Sequence, residues 1–272
     1  MRLSLSVRIA EKYHTKRESA MDLKTLATIA SEAGYSAICI RASQLGIKTA
    51  VEDVFQARRV FDALNLKISM VTGDFDIPEN SFQGPNALRD ITPYLDLAES
   101  LGSDLLRICM KIKGDIPWAQ RASDEALERG IRLAHQCHAQ SLFEQVSDSL
   151  DLLRSIGRKN FGIIYEPANL EICGQDYGIK TISKFAPYIF NVYVQNQKLN
   201  PDGSDIMKSW TNEPVVVDQI PLWYKGGINY ELIADGLESI GYDGYVTVHQ
   251  ASTPWHEPAE AIQRSATYLK AV

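Results

Sequence analysis

The chain has 272 residues, 45% of them apolar, enough to bury one large core or two small ones. Its 28 basic and 34 acidic residues leave a formal charge of −6, and no run of Lys or Arg is long enough to track a phosphate backbone, so nucleic acid is not an expected partner. No apolar stretch reaches the length of a signal core or a membrane span, and Cys39, Cys109, Cys137 and Cys173 lack metal-binding spacing; the expectation is a cytoplasmic protein in a reducing compartment with no membrane partner.

The first predicted element is a strand over residues 3–8, where apolar and polar side chains alternate. A helix over 20–32 follows, closed by Gly34 and leading into a strand at 37–41. A further strand is expected at 67–72. The module of helix, glycine and strand recurs as 98–101, Gly102 and 105–111, and strands follow at 131–137, 161–166 and 190–196. The last module is helix 230–240, Gly241 and strand 245–250, before an amphipathic helix over 257–271. Strands alternating with helices, eight in all, with no linker-like segment, predict an α/β chain whose residues 1–272 form a single (β/α)8 TIM barrel domain. Residues 72–85 and 198–229 read as irregular stretches following strands three and seven, which places them at the catalytic mouth. The second holds the turn Asn200-Pro201-Asp202-Gly203 and then Trp210, Trp223 and Tyr224, suited to a wall or lid. Trp118 and Trp255 also fall in expected mouth loops, where an aromatic face could stack on a sugar ring or meet another subunit.

Side chains alternate across a strand, and the apolar set packs beneath the outer helices. By that rule Val246 and Val248 face out while Thr247 and His249 face in; Val192 and Val194 face out while Asn191, Tyr193 and Gln195 face in. Applied to the other strands, it gathers Arg41, Arg107, Lys111, Gln136, His138, Glu166, Gln195 and His249 inside the upper barrel. One inward glutamine or histidine is ordinarily a satisfied partner within a core. So many together cost too much to bury without hydrogen bonds or solvent, and they imply a polar binding cavity.

With these residues the chain resembles the xylose isomerase-like TIM barrel superfamily, which includes D-tagatose 3-epimerase, inosose dehydratase and endonuclease IV relatives. The resemblance spans nearly the whole chain and is carried by Leu133-Ala134-His135-Gln136-Cys137-His138, by Gly162-Ile163-Ile164-Tyr165-Glu166-Pro167-Ala168-Asn169-Leu170, and by Gly241-Tyr242-Asp243-Gly244 running through to His249. It implies one divalent metal, held in relatives by Glu, Asp, His and Glu on strands five to eight. The matching positions here are Gln136, Glu166, Tyr193 or Gln195, and His249, with Gln195 favoured because it lies further toward the mouth. A set with one carboxylate and one imidazole has less attraction for Mg²⁺ and favours Mn²⁺, Fe²⁺ or Zn²⁺.

The resemblance further implies proton abstraction beside a carbonyl, with acid and base on opposite faces of the sugar carbon. Gln136 and His249 occupy those two places, and glutamine cannot titrate. His249, Glu166 and Lys111 are therefore the candidate catalytic residues, with His138 a further proton-transfer candidate; Arg41, Arg107, His138, Trp118 and Asn196 are the candidate substrate contacts. The expected ligand is a sugar or sugar derivative, and relatives' habits suggest a homo-oligomer, dimer or tetramer. A non-catalytic carbohydrate-binding barrel is the alternative. An abasic-site endonuclease fits poorly, because its metal cluster needs more inward His and Asp or Glu than this chain supplies.

Overall fold

Short apolar runs close on one another into a parallel ring. The computed structural model describes residues 2–13, 15–251 and 256–272, so His14 and Trp255 lie outside the described residues. The strands are β1 (Arg2–Ser6), β2 (Ala37–Arg41), β3 (Lys67–Thr72), β4 (Leu105–Ile108), β5 (Arg132–Gln136), β6 (Phe161–Tyr165), β7 (Ile189–Val194), β8 (Gln197–Leu199), β9 (Asp205–Met207), β10 (Val215–Gln219) and β11 (Tyr245–Val248). Eight of them form a closed barrel in the order β1-β11-β7-β6-β5-β4-β3-β2, and β8, β10 and β9 form a separate antiparallel sheet. The helices are α1 (Leu23–Ala33), α2 (Val51–Ala63), α3 (Asn86–Arg89), α4 (Thr92–Leu101), α5 (Ile116–Glu128), α6 (Val146–Ile156), α7 (Pro167–Ile172), α8 (Ile179–Phe185), α9 (Tyr230–Ser239) and α10 (Pro258–Ala271). Among the described residues no helix is long and apolar enough to cross a membrane.

The punctuation has local causes. Asp22 accepts the Thr25 amide at 2.9 Å, which starts α1 later than residue 20, and Gly34 closes it at φ 84°. Strand one is shorter than 3–8 because Ser6 caps a 3-10 turn over Val7–Ala10 by accepting the Arg8 amide at 3.3 Å. The stretch 198–229 is not irregular throughout. It carries β9, β10 and most of β8, and the run Val215-Val216-Val217 supplies the central strand that pairs with both neighbours.

Two layers of packing result. Leu106, Ile163, Val192, Val194, Val246 and Val248 join the large core under the helices. Inside the barrel Cys39, Met70, Leu105, Ala134, Ile164 and Tyr193 form a smaller cluster, with Ser4 bonded to Ser69 at 2.6 Å and Thr247 to Asn191 at 2.8 Å. Gly162 lies on β6 where a side chain has no room: a Cβ there would strike the Tyr188 carbonyl oxygen and come within 2.7 Å of the Phe190 ring. Gly162→Ala is expected to cost about 1–3 kcal/mol of stability, the usual range for overpacking, measured by urea denaturation. An unchanged midpoint would show that this part of the barrel yields without cost.

Candidate functional site

Glu166 follows β6 directly and serves as the N-cap residue of α7, with Pro167 in the first helical turn. Its backbone is still extended, at φ −137° and ψ 101°, so its side chain continues the inward series of β6. The side chain is fully buried. Gln136 Nε2 donates to Glu166 Oε2, and Gln195 Nε2 donates to Oε1 at 2.5 Å. Burial pushes the Glu166 carboxyl above its ordinary range, opposed by the Gln136 hydrogen bond and by the charges of Arg8 and Arg107. Each glutamine spends its amide on the acid and leaves its carbonyl oxygen buried without a partner.

His249 stands just past β11. Its Nε2 lies 3.3 Å from Arg41 Nη1 and its Nδ1 lies 3.0 Å from Ser6 Oγ. A guanidinium only donates, so Nε2 accepts and the proton sits on Nδ1, which donates to Ser6. Burial and then the charges of Arg8, Arg41, Arg107 and Lys16 hold this imidazole well below its ordinary pKa, and it stays neutral. That removes the role of general base expected for it: the lone pair is engaged by Arg41, and gaining a second proton is strongly opposed. Tyr193 stacks on the His249 ring at 3.8 Å and 8° and turns its hydroxyl toward Cys39 Sγ at 3.4 Å. Of the two strand-seven candidates, Gln195 is therefore the one that meets Glu166.

Arg41 is buried and donates through Nε to Glu11 Oε1 at 2.8 Å, an oxygen that also accepts from Ser43 Oγ at 2.7 Å. Among the described residues its Nη2 has no partner, and neither has Nε of Arg107, whose guanidinium carbon lies 5.9 Å from the centre of the Tyr193 ring. Two cations were not foreseen from the sequence. Arg8 follows the inward series Ser4 and Ser6, so extending the alternation along the first strand would have found it. Lys16 lies in a loop with no periodic signal and donates to the Pro78 carbonyl at 2.8 Å. Burial, then the charges of Arg8, Arg41 and Arg107, lower its pKa to about 7.

The remaining candidates are placed differently. Lys111 donates to Asn80 Oδ1 at 2.6 Å and to the Gln140 carbonyl at 2.7 Å, tying the loops after β3 and β5 together. That is a positioning contact and not a catalytic one. Trp118 belongs to α5 and not to a loop, and it lies between the guanidinium groups of Arg89 and Arg121. His138 donates from Nδ1 to the Ala139 carbonyl at 2.6 Å, which leaves Nε2 as its lone-pair nitrogen.

Asn196 is committed to the chain's own backbone. Its Nδ2 reaches the carbonyls of Pro221 (3.2 Å), Leu222 (3.3 Å) and Tyr224 (2.9 Å), and its Oδ1 accepts the Ile228 amide at 2.9 Å. These bonds make Asn196, expected as a substrate contact, an anchor of the loop over residues 221–228. Asn196→Ala is expected to cost about 2–3 kcal/mol, since neutral hydrogen bonds contribute about 1 kcal/mol each, and to speed amide exchange across residues 220–228. Unchanged exchange there would show that the loop is held by other contacts.

The profile described as "Xylose isomerase-like TIM barrel" matches residues 27–272. The chain belongs to that family. Solved structures agree on the fold of this xylose isomerase-like barrel. A probable 3-DHS dehydratase involved in petrobactin synthesis from Bacillus anthracis superposes with a TM-score of 0.75 at 14% identity, over 99% of each chain. The IOLI protein with a bound zinc atom gives 0.72 at 16%, over 100% of this chain and 97% of its own. A D-allulose 3-epimerase from Methylomonas sp. gives 0.71 at 15%, again over 100% and 97%. Comparison with curated protein sequences found no match.

A zinc-bearing relative raises the question of whether this xylose isomerase-like barrel has a donor set for a divalent cation. Gln136 and Gln195 turn their NH₂ groups, not their oxygens, toward Glu166, and the coordinating nitrogen of His249 faces a guanidinium. Among the described residues no three His, Cys, Asp or Glu side chains converge as a metal site. The arrangement as it stands does not fit Mn²⁺, Fe²⁺, Zn²⁺ or Mg²⁺: both amides would have to turn, and Arg41 would have to leave His249.

Proposed function

We propose that the barrel mouth binds a sugar or keto-sugar and moves a proton at the carbon beside its carbonyl, acting as an isomerase, epimerase or related lyase with Glu166 as the acid–base group. The observation that carries this reading is the buried carboxyl of Glu166, raised in pKa and held between two carboxamides whose carbonyl oxygens are unpartnered. Those oxygens suit the hydroxyl groups of a polyol. A carboxyl with elevated pKa at the end of a barrel strand suits proton transfer near neutrality.

The carboxylate takes the proton from carbon, the electron pair of the broken C–H bond moves to the carbonyl oxygen, and an enolate forms. Arg41 Nη2, buried and without a partner among the described residues, would be the donor to that oxygen. Delivering that proton to the former carbonyl carbon, while the neighbouring hydroxyl passes its proton to the enolate oxygen, gives the isomer; an epimer requires a proton from the opposite face, and elimination expels the β-hydroxyl as water with the proton Glu166 took. The scheme routes nothing through a metal ion, because the donor set does not fit one. The family's dehydratase and epimerase members support this class of chemistry.

One observation favours the second reading, a barrel that binds carbohydrate without turnover: His249 is locked neutral and Gln136 cannot titrate, so the two-sided acid–base pair is missing. The deciding experiment incubates the protein with aldoses, ketoses and sugar acids in D₂O and follows the C–H signal beside the carbonyl by proton NMR. Loss of that signal for one substrate supports catalysis. Saturable binding with no exchange across the panel would leave the binding barrel.

A further inference from the structure

The charges around Glu166 do not balance. Arg8, Lys16, Arg41 and Arg107 all act on His249, while Glu11 and Glu166 act on Arg8 and Glu11 on Lys16. Glu11 is engaged by Arg41 and Ser43, and Glu166 by the two glutamines. Arg107 is thus left 3% exposed, with a buried Nε–H that has no acceptor among the described residues. Leaving a buried donor without a partner is unfavourable, and leaving a buried cation uncompensated is more so. Such a group is tolerable where a ligand completes it.

Resting on the reading of this mouth as a small-molecule site, we propose that the ligand carries a carboxylate or phosphate group, received by Arg107 with Arg8 and Lys16, while its hydroxyl groups meet Gln136 Oε1 and Gln195 Oε1. The ligand class is an acidic polyol: a sugar acid or a sugar phosphate. Neutral sugars would satisfy the two carbonyl oxygens and leave the cationic side unpaired. An anion without hydroxyls would do the reverse. The four unpartnered atoms, Arg41 Nη2 and Arg107 Nε as donors and the two glutamine oxygens as acceptors, call for both properties in one molecule. The Tyr193 ring stacks on His249 and has Arg107 beside it, which holds these groups together. Lys16 adds a pH dependence. It is faced by Arg8, Arg41, Arg107 and Glu11 and sits near half-protonation at neutral pH, so anion affinity falls as pH rises past about 7.

The test is calorimetric titration of the full chain with D-gluconate, inorganic phosphate and D-glucose at low ionic strength. The expected result is binding of at least one anion at least about tenfold tighter than glucose, weakened at least about tenfold by Arg107→Gln. Gluconate alone binding assigns a carboxylate, and phosphate alone a phosphorylated ligand. Lys16→Gln, a change in a loop, is the second variant, and its expected effect is loss of the affinity change around neutral pH. Glucose binding as well as either anion, or anion affinity that both variants leave intact, overturns the proposal. Anion binding without carbon proton exchange would sustain it while removing the catalytic reading. Exchange on a neutral keto-sugar with no anion binding would overturn it and leave catalysis standing.

Discussion

Acidification from about pH 7 to about pH 5 is expected to destabilise the folded chain, by about 2 kcal/mol through His135 alone, because three imidazoles, His135, His138 and His249, have their pKa lowered inside it. His135 is stacked on Phe143 at 4.2 Å, donates from Nδ1 to the Gln136 carbonyl at 2.6 Å, and has its pKa driven down to about 3 by burial. His249 is held well below its ordinary value by burial and by the cations around it. The unfolded imidazole titrates near 6.5, so below that pH the unfolded chain takes up protons that the folded chain refuses. The stabilising contribution is therefore complete above about 6.5 and is lost as pH falls toward the folded values, by about 2 kcal/mol for His135 at pH 5. Glu166 acts in the opposite direction. Its raised folded pKa gives a contribution that is complete below about 4.5 and lost as pH rises, which returns part of the loss. Urea denaturation followed by circular dichroism across this range measures the slope. His135→Phe keeps a ring against Phe143 and should lower the slope by about 1.4 kcal/mol per pH unit. A flat profile in the unmodified chain would mean that these imidazoles are charged or solvated, and would undo the account of the barrel interior.

How much of this was legible in the sequence depends on how far the strand period reaches. Ala134, Ile164, Tyr193 and Thr247 were assignable to the interior because alternation holds within a hydrogen-bonded ladder, and Gln136, Glu166 and Gln195 continue that alternation into the mouth. The rule fails two or three residues beyond the ladder. Lys111 lies past the end of β4 and is captured by Asn80 and Gln140, while Asn196, just past β7, is captured by the returning loop. Trp118, expected in a mouth loop, lies instead in α5, which starts at Ile116 with Pro117 in its first turn, where proline is tolerated. Lys16 is invisible to pattern reading, since it reaches the mouth from a loop and is held there by the Pro78 carbonyl. The meeting of the two amides with one acid, and of Arg41 with His249, depends on side-chain partners and not on spacing. The sequence supports the list of residues for a metal site; the way they pair is what argues against one.

Glu166→Gln is expected to reduce carbon proton exchange by about 10²–10⁴-fold, the usual share of a general acid–base group, while leaving ligand binding measurable. The carboxamide has nearly the same shape, and Gln136 and Gln195 can turn to meet it. The variant also sheds the desolvation cost of a buried charge, although Arg8 and Arg107 lose an acid that now opposes their own charge. These changes oppose each other, so the fold is expected to survive. The pH profile separates chemistry from packing. Proton abstraction requires the ionised carboxylate, so the unmodified protein should gain activity as pH rises through the raised Glu166 pKa, and residual activity of the variant should lack that limb. If the variant exchanged at the original rate, the base would have to lie elsewhere, and the lone-pair nitrogen of His138 would be the next group to test. If it lost exchange and binding together, Glu166 would be a hydrogen-bonding post for the substrate and its two glutamines, and the acid–base assignment would fall.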